Sequence, residues 1–237
     1  MDRQQRRDLK HDKFVDEIGS LSTRARENQR LLLTITGGAV LIAVLIYGIY
    51  FYRSNREEKG QLALGKAMET IESPLQPAPG AQAAPTAKYK TEAERTAAAE
   101  SQLKAVETNH GGTNAADVAS LYLARMAADK GDVAGARKRL EAYIHDNPKT
   151  ILTPGARYSL YRLRIDSGES AQVTQELQAE IAKSDPSIPT DAVLALLAHA
   201  YDAQGNAEKT KETYRRIVTE FPDSPYALEA QRRMGPA

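Results

Sequence analysis

Cysteine and tryptophan are absent from this chain, and phenylalanine occurs only three times. Without cysteine there are no disulfides, thiolate metal ligands, cysteine nucleophile or lipidated cysteine anchor. A surplus of one charge is missing too. Thirty-two Lys and Arg face 31 Asp and Glu, for a formal net charge of +1. No strong overall field draws in nucleic acid or acidic partners. The usual catalytic patterns are also lacking. His11, His110, His145 and His199 have no partner histidine at the spacing of a helical metal site. There is no G-x-S-x-G. Of the paired glycines, 37–38 lie in an apolar run and 111–112 are not followed by Lys-Ser/Thr, so no phosphate loop is present. The reading is a non-enzyme with no catalytic residues, no metal and no cofactor.

What is present is helical. Apolar residues make up 41% of the chain and aromatics 6%, an alanine-rich balance that suits packed helices. One long apolar run interrupts it. Residues 31–52, LLLTITGGAVLIAVLIYGIYFY, carry no charge over 22 positions. As a helix the run spans roughly 33 Å, enough for the hydrocarbon core of a bilayer. Tyr47, Tyr50 and Tyr52 cluster at one end as an interfacial belt does, and Arg30 and Arg53 bracket the run. A cleaved signal peptide fits poorly: the run is too long, lies behind a 30-residue polar tail, and no A-x-A site follows. Near the run, basic residues tie on the two sides. The distal cluster RQQRRDLK and the shortness of the tail place the N-terminus in the cytoplasm. The expected organisation is a polar tail over 1–30 and a transmembrane helix over 31–52. A membrane-proximal helical hairpin follows over 53–110, with a Pro/Ala-rich insert at 73–87, and then repeats over 111–237.

The repeats rest on spacing. Gly131, Gly168 and Gly205 are 37 residues apart both times, each between two helical runs. Pro148, Pro186 and Pro222 follow the second runs. Glycine supplies the tight turn and proline ends the helix. Each pair is too thin to bury its apolar face alone, so the pairs stack. The segment 91–108 aligns as the second helix of an earlier pair whose first helix is 55–72. The expected fold is all-α: one N-terminal transmembrane helix and an α-solenoid of three to four helix pairs.

The pattern resembles the tetratricopeptide repeat. Leu123, Ala124, Gly131, Ala136, Leu140 and Pro148 fall at that family's positions, as do Leu197, Ala198, Tyr201, Gly205, Tyr214 and Pro222. The middle pair departs from it, with Tyr161 where a small residue is expected and Val173 in place of a packing alanine. The resemblance implies that the first helix of each pair lines a groove. Arg125, Arg162 and His199 share one repeat position there, with Tyr122 and Tyr158 nearby, so a groove for an extended or helical peptide is expected. The competing reading is that Asp129, Asp166 and Asp202 neutralise this stripe.

The whole layout resembles bacterial membrane-anchored tetratricopeptide proteins of the YfgM type. That resemblance implies an inner-membrane protein with a periplasmic C-terminal domain, associated with the SecYEG translocon and a periplasmic chaperone and aiding handover of exported proteins. The alternative is a structural scaffold of a cell-envelope or secretion complex. The final segment PYALEAQRRM is expected to cap the stack, with Tyr226, Leu228 and Met234 turned inward and Asp223 or Ser224 capping its helix. Ile217 and Val218 of the preceding helix are expected to be buried.

Overall fold

The computed structural model describes residues 29–76 and 87–235. The tail and most of the Pro/Ala insert lie outside them. Among the described residues the regular structure is helical, apart from an isolated bridge between Leu75 and Tyr89. The chain divides into two compact units, Met1–Arg56 and Glu57–Ala237.

In the first unit the described residues open helix α1, which spans Gln29–Glu72. From Leu33 to Tyr52 its large apolar side chains lie open, 56% to 69% exposed. Tyr47 and Phe51 stack with ring centroids 6.5 Å apart, and the Arg56 guanidinium stands 5.8 Å over the Tyr52 ring. Among the described residues, α1 is the one helix long and apolar enough to cross a membrane.

The second unit is built of paired helices. The end of α1 packs with α2 (Glu92–Asn109) and α3 (Asn114–Asp129) around Leu64, Leu103, Val106 and Leu123. Gly60 is needed for this approach: a Cβ there would lie 3.1 Å from the Ala115 Cβ. The following pairs are α3 with α4 (Val133–Asp146), α5 (Thr153–Arg164) with α6 (Ser170–Ile181), and α7 (Thr190–Ala203) with α8 (Ala207–Glu220). The short α9 (Ala227–Met234) follows. Side chains close several helix starts: Thr91, Thr113, Asp132 and Asn206 accept from the N–H groups of Glu94, Ala116, Gly135 and Lys209.

The turn glycines do what the spacing predicts. Gly131, Gly168 and Gly205 have φ of 81°, 94° and 71°, a left-handed conformation that costs any other residue energy. In the middle pair the chain kinks at Gly168 within Ile165–Glu169, the segment that joins α5 to α6.

A second register, one hydroxyl per junction, also runs at 37 residues. Thr113, Thr150, Ser187 and Ser224 occupy equivalent positions. At the two inner junctions a polar residue seven positions earlier meets the hydroxyl. Tyr143 Oη lies 2.9 Å from Thr150 Oγ1, and Ser187 Oγ donates to Glu180 at 2.6 Å. At the outer ones that earlier position is apolar, Val106 or Ile217. There the hydroxyl bonds elsewhere: Thr113 donates to the His110 carbonyl at 2.7 Å, and Ser224 to Asp191 Oδ2 at 2.8 Å.

Four expectations need correction. Helix α6 ends at Ile181, five residues before Pro186, because Glu180 turns to accept from the Ser187 hydroxyl and backbone N–H and to pair with Lys183. In α9 Leu228 is 58% exposed, whereas Ala227 and Ala230 face inward and Met234 packs at the edge. That helix begins at Ala227 without a side-chain cap; Ser224 Oγ instead accepts from the Tyr226 N–H. In α8 Ile217 is fully buried, while Val218 is half-buried at the margin of the same cluster.

Candidate protein-binding surface

Helices α3, α5 and α7 carry the predicted stripe. Arg125 stands near the end of α3, 78% exposed at its side chain, with Asp129 one turn on at 3.9 Å. Arg162 repeats this on α5, with Asp166 at 3.9 Å. His199 on α7 departs from the pattern. Its Nε2 meets Asp166 Oδ1 at 2.7 Å, so it pairs with the preceding repeat and not with Asp202. Asp166 thus faces two members of the stripe, and Arg125 is the most open cation. All these pairs are solvated, where such attraction is worth at most about 1 kcal/mol.

The tyrosines separate. Tyr122 lies on the open surface of α3, three residues before Arg125. Tyr158 is half-buried and stacks on Tyr226, the residue just before α9, with centroids 5.9 Å apart. Burial and the neighbouring Tyr158 push the Tyr226 hydroxyl up to about 12. Tyr158 therefore belongs to the packing of the terminal helix, which periodicity in α5 alone does not reveal.

Behind the stripe lies an ion network that sequence reasoning missed. Arg164, one-tenth exposed at its side chain, donates to both oxygens of Glu176 at 2.7 and 2.8 Å and to Glu169 at 2.9 Å. Glu169 also accepts from Arg137 of α4 at 2.6 Å, and Arg137 reaches Glu141 at 2.8 Å. The Arg164 hydrogen bond is the main cause holding Glu176 and Glu169 below the usual carboxylate range. For Glu180 burial works to raise the carboxyl, but Lys183 and Ser187 outweigh it and the net direction is down. A second bridge, Arg139 to Glu107 at 2.9 Å, ties α4 to α2. No group of three metal-ligating side chains converges among the described residues.

Stacked helix pairs with a side-chain stripe along their first helices define a class of helical repeat array that works through contacts with other proteins. Residues 29–223 match the family model of the tetratricopeptide repeat-like domain. The chain belongs to that family. Two solved structures of TPR-like repeats from a Podosopora anserina chain assigned as a kinesin light chain, one with a single substitution, are 20% and 19% identical to it. Each covers 60% of this chain and 77% of its own, with a TM-score of 0.44. Among curated proteins none matches.

Proposed function

We propose that this protein is a membrane-anchored adaptor whose repeats bind other proteins, acting by contact and not by turnover. One observation carries the reading: a single chain joins a helix of membrane-spanning length and polarity to a protein-binding repeat array, and the family match takes in both. In this reading residues 31–52 cross a bacterial inner membrane, the N-terminus is cytoplasmic, and the repeat domain lies in the periplasm. The partners are translocon or periplasmic chaperone components, and the role is an ancillary one in handing over exported proteins. Anchoring raises the local concentration of the repeats near chains leaving a translocon.

The surface used is the stripe of Arg125, Arg162 and His199 with Tyr122 at its edge. A partner segment with acidic residues at matching intervals complements it.

In-membrane crosslinking with mass spectrometry tests the role. Translocon or periplasmic chaperone peptides are expected among the products. Recovery of cytosolic proteins alone overturns the reading, and recovery of a defined wall or secretion assembly replaces it with the scaffold reading. A reporter fused after Ala237 is expected to be active only when exported.

A further inference from the structure

The middle repeat departs from its neighbours in one consistent chemical direction. Thirty-seven residues before Leu194, Ala198 and Tyr201 stand Arg157, Tyr161 and Arg164. In α7 Leu194 and Ala198 are completely buried against α8 and α9. In α3 the equivalent Ala124 is buried as well, packed with Leu140 and Tyr143 of α4. Small residues at this position let neighbouring helices close together. Tyr161 does not allow that closure, and a cleft of about 320 Å³ opens between α4, α5 and α6. Ile144, Leu160 and the Tyr161 ring form its apolar wall. Arg164 stands 5.9 Å over that ring.

The charged groups around the cleft are paired within the protein, with one exception. Glu141 accepts from Arg137, Glu176 from Arg164, and His145 Nδ1 pairs with Asp146 at 2.9 Å. Arg157 is half-buried, lines the cleft, and makes no hydrogen bond or ion pair among the described residues. Its planar fork matches a carboxylate. A phosphate dianion asks for a second free cation, which the cleft does not offer. The volume lies at the lower end for ligand pockets and holds about two side chains.

We propose that this cleft binds a short peptide segment in which a carboxylate adjoins an aliphatic or aromatic side chain. Arg157 takes the carboxylate, and the apolar side chain lies on Ile144, Leu160 and Tyr161. The site is on a different face of α5 from Arg162, since residues 157 and 161 point about 100° away from 158 and 162 around a helix of 3.6 residues per turn. It stands whether or not the Arg125–Arg162–His199 stripe binds a partner.

The full chain in detergent micelles is titrated with three end-capped tetrapeptides: Gly-Glu-Leu-Gly, Gly-Lys-Leu-Gly and Gly-Glu-Gly-Gly. The first is expected to bind saturably and the other two at least tenfold more weakly. Arg157→Met and Tyr161→Ala should each weaken the first peptide at least tenfold, with Arg157→Lys intermediate, while circular dichroism confirms retained helix. The double variant Arg125→Ala with Arg162→Ala should leave binding unchanged. The proposal is overturned if no peptide binds, if the lysine peptide binds equally, if Arg157→Met has no effect, or if the stripe variant abolishes binding. Full displacement by equimolar acetate would reduce the site to a bare anion contact and overturn it too.

Discussion

His199 reaches back 33 residues to Asp166, Nε2 to Oδ1 at 2.7 Å, across the boundary between two repeats. Asp166 also faces Arg162 on its own helix at 3.9 Å. One carboxylate thus restrains two members of the candidate stripe. Asp166→Asn should free both and raise capture of an acidic partner several-fold. Arg125→Ala with Arg162→Ala should lower it. Crosslinking yield in membranes reads both effects. Melting temperature should barely move, because exposed pairs of this kind contribute at most about 1 kcal/mol. Unchanged yield in both variants would return the stripe to a solvated surface.

Arg164 is the centre of the ion network and is nearly covered. Arg164→Met removes three charge-assisted hydrogen bonds and leaves Glu176 and Glu169 facing each other. A loss of about 2 kcal/mol is expected, since a hydrogen bond to a charged group contributes about 1.5–3 kcal/mol and the methionine stem recovers some packing. Urea unfolding of the detergent-solubilised chain measures it.

The same network sets an acid dependence. Glu176 and Glu169 titrate lower in the folded protein than in the unfolded chain, chiefly through Arg164. The unfolded chain therefore binds more protons as pH falls, and stability drops. The contribution is fully present above the ordinary glutamate range near 4.5 and is lost as pH descends through the folded values. Glu176→Gln should flatten the melting-temperature profile below that range while lowering it at neutral pH. A profile parallel to that of the parent protein would contradict this origin.

Gly205→Ala places a side chain at φ of 71° in the turn between α7 and α8. Nothing lies within 4 Å of the added Cβ, so the cost is backbone strain alone, about 1–2 kcal/mol. Thermal melting checks it.

Removing residues 225–237 uncovers Leu194, Ala198, Tyr214 and Ile217, which pack around the fully buried Ala230. It also strips Tyr158 of its stacking partner. Lower solubility and a melting point down by several degrees are expected, as for any repeat array losing its terminal cap. A superimposable melting curve would refute the capping role.

Much of the fold was legible in residue spacing. The turn glycines could be read because a left-handed turn makes a sharp demand on residue type. The junction hydroxyls at 113, 150, 187 and 224 keep the same interval. They were missed because serine and threonine are common in any linker. The inward face of α9 follows position and not size. Leu228 is the larger residue, but Ala227 and Ala230 fall on the buried side. Pairings across repeats, such as His199 with Asp166 or Tyr158 with Tyr226, depend on how one helix pair rests on the next. No pattern within a single helix carries that information.

The Arg137–Glu169 bridge has a consequence for how the array comes apart. The middle pair carries Arg157, Tyr161 and Glu180 where the following pair has the buried Leu194, Ala198 and Ile217, so part of its hold comes from ion pairs in place of apolar packing. The same network also runs outward, through Glu169 to Arg137 of the preceding pair. In a linear array, weak units joined by strong couplings melt together, whereas strong units joined weakly unzip from an end. The polar middle thus favours a single cooperative transition between the first pair and the second, with no resting point at which half the stack is open.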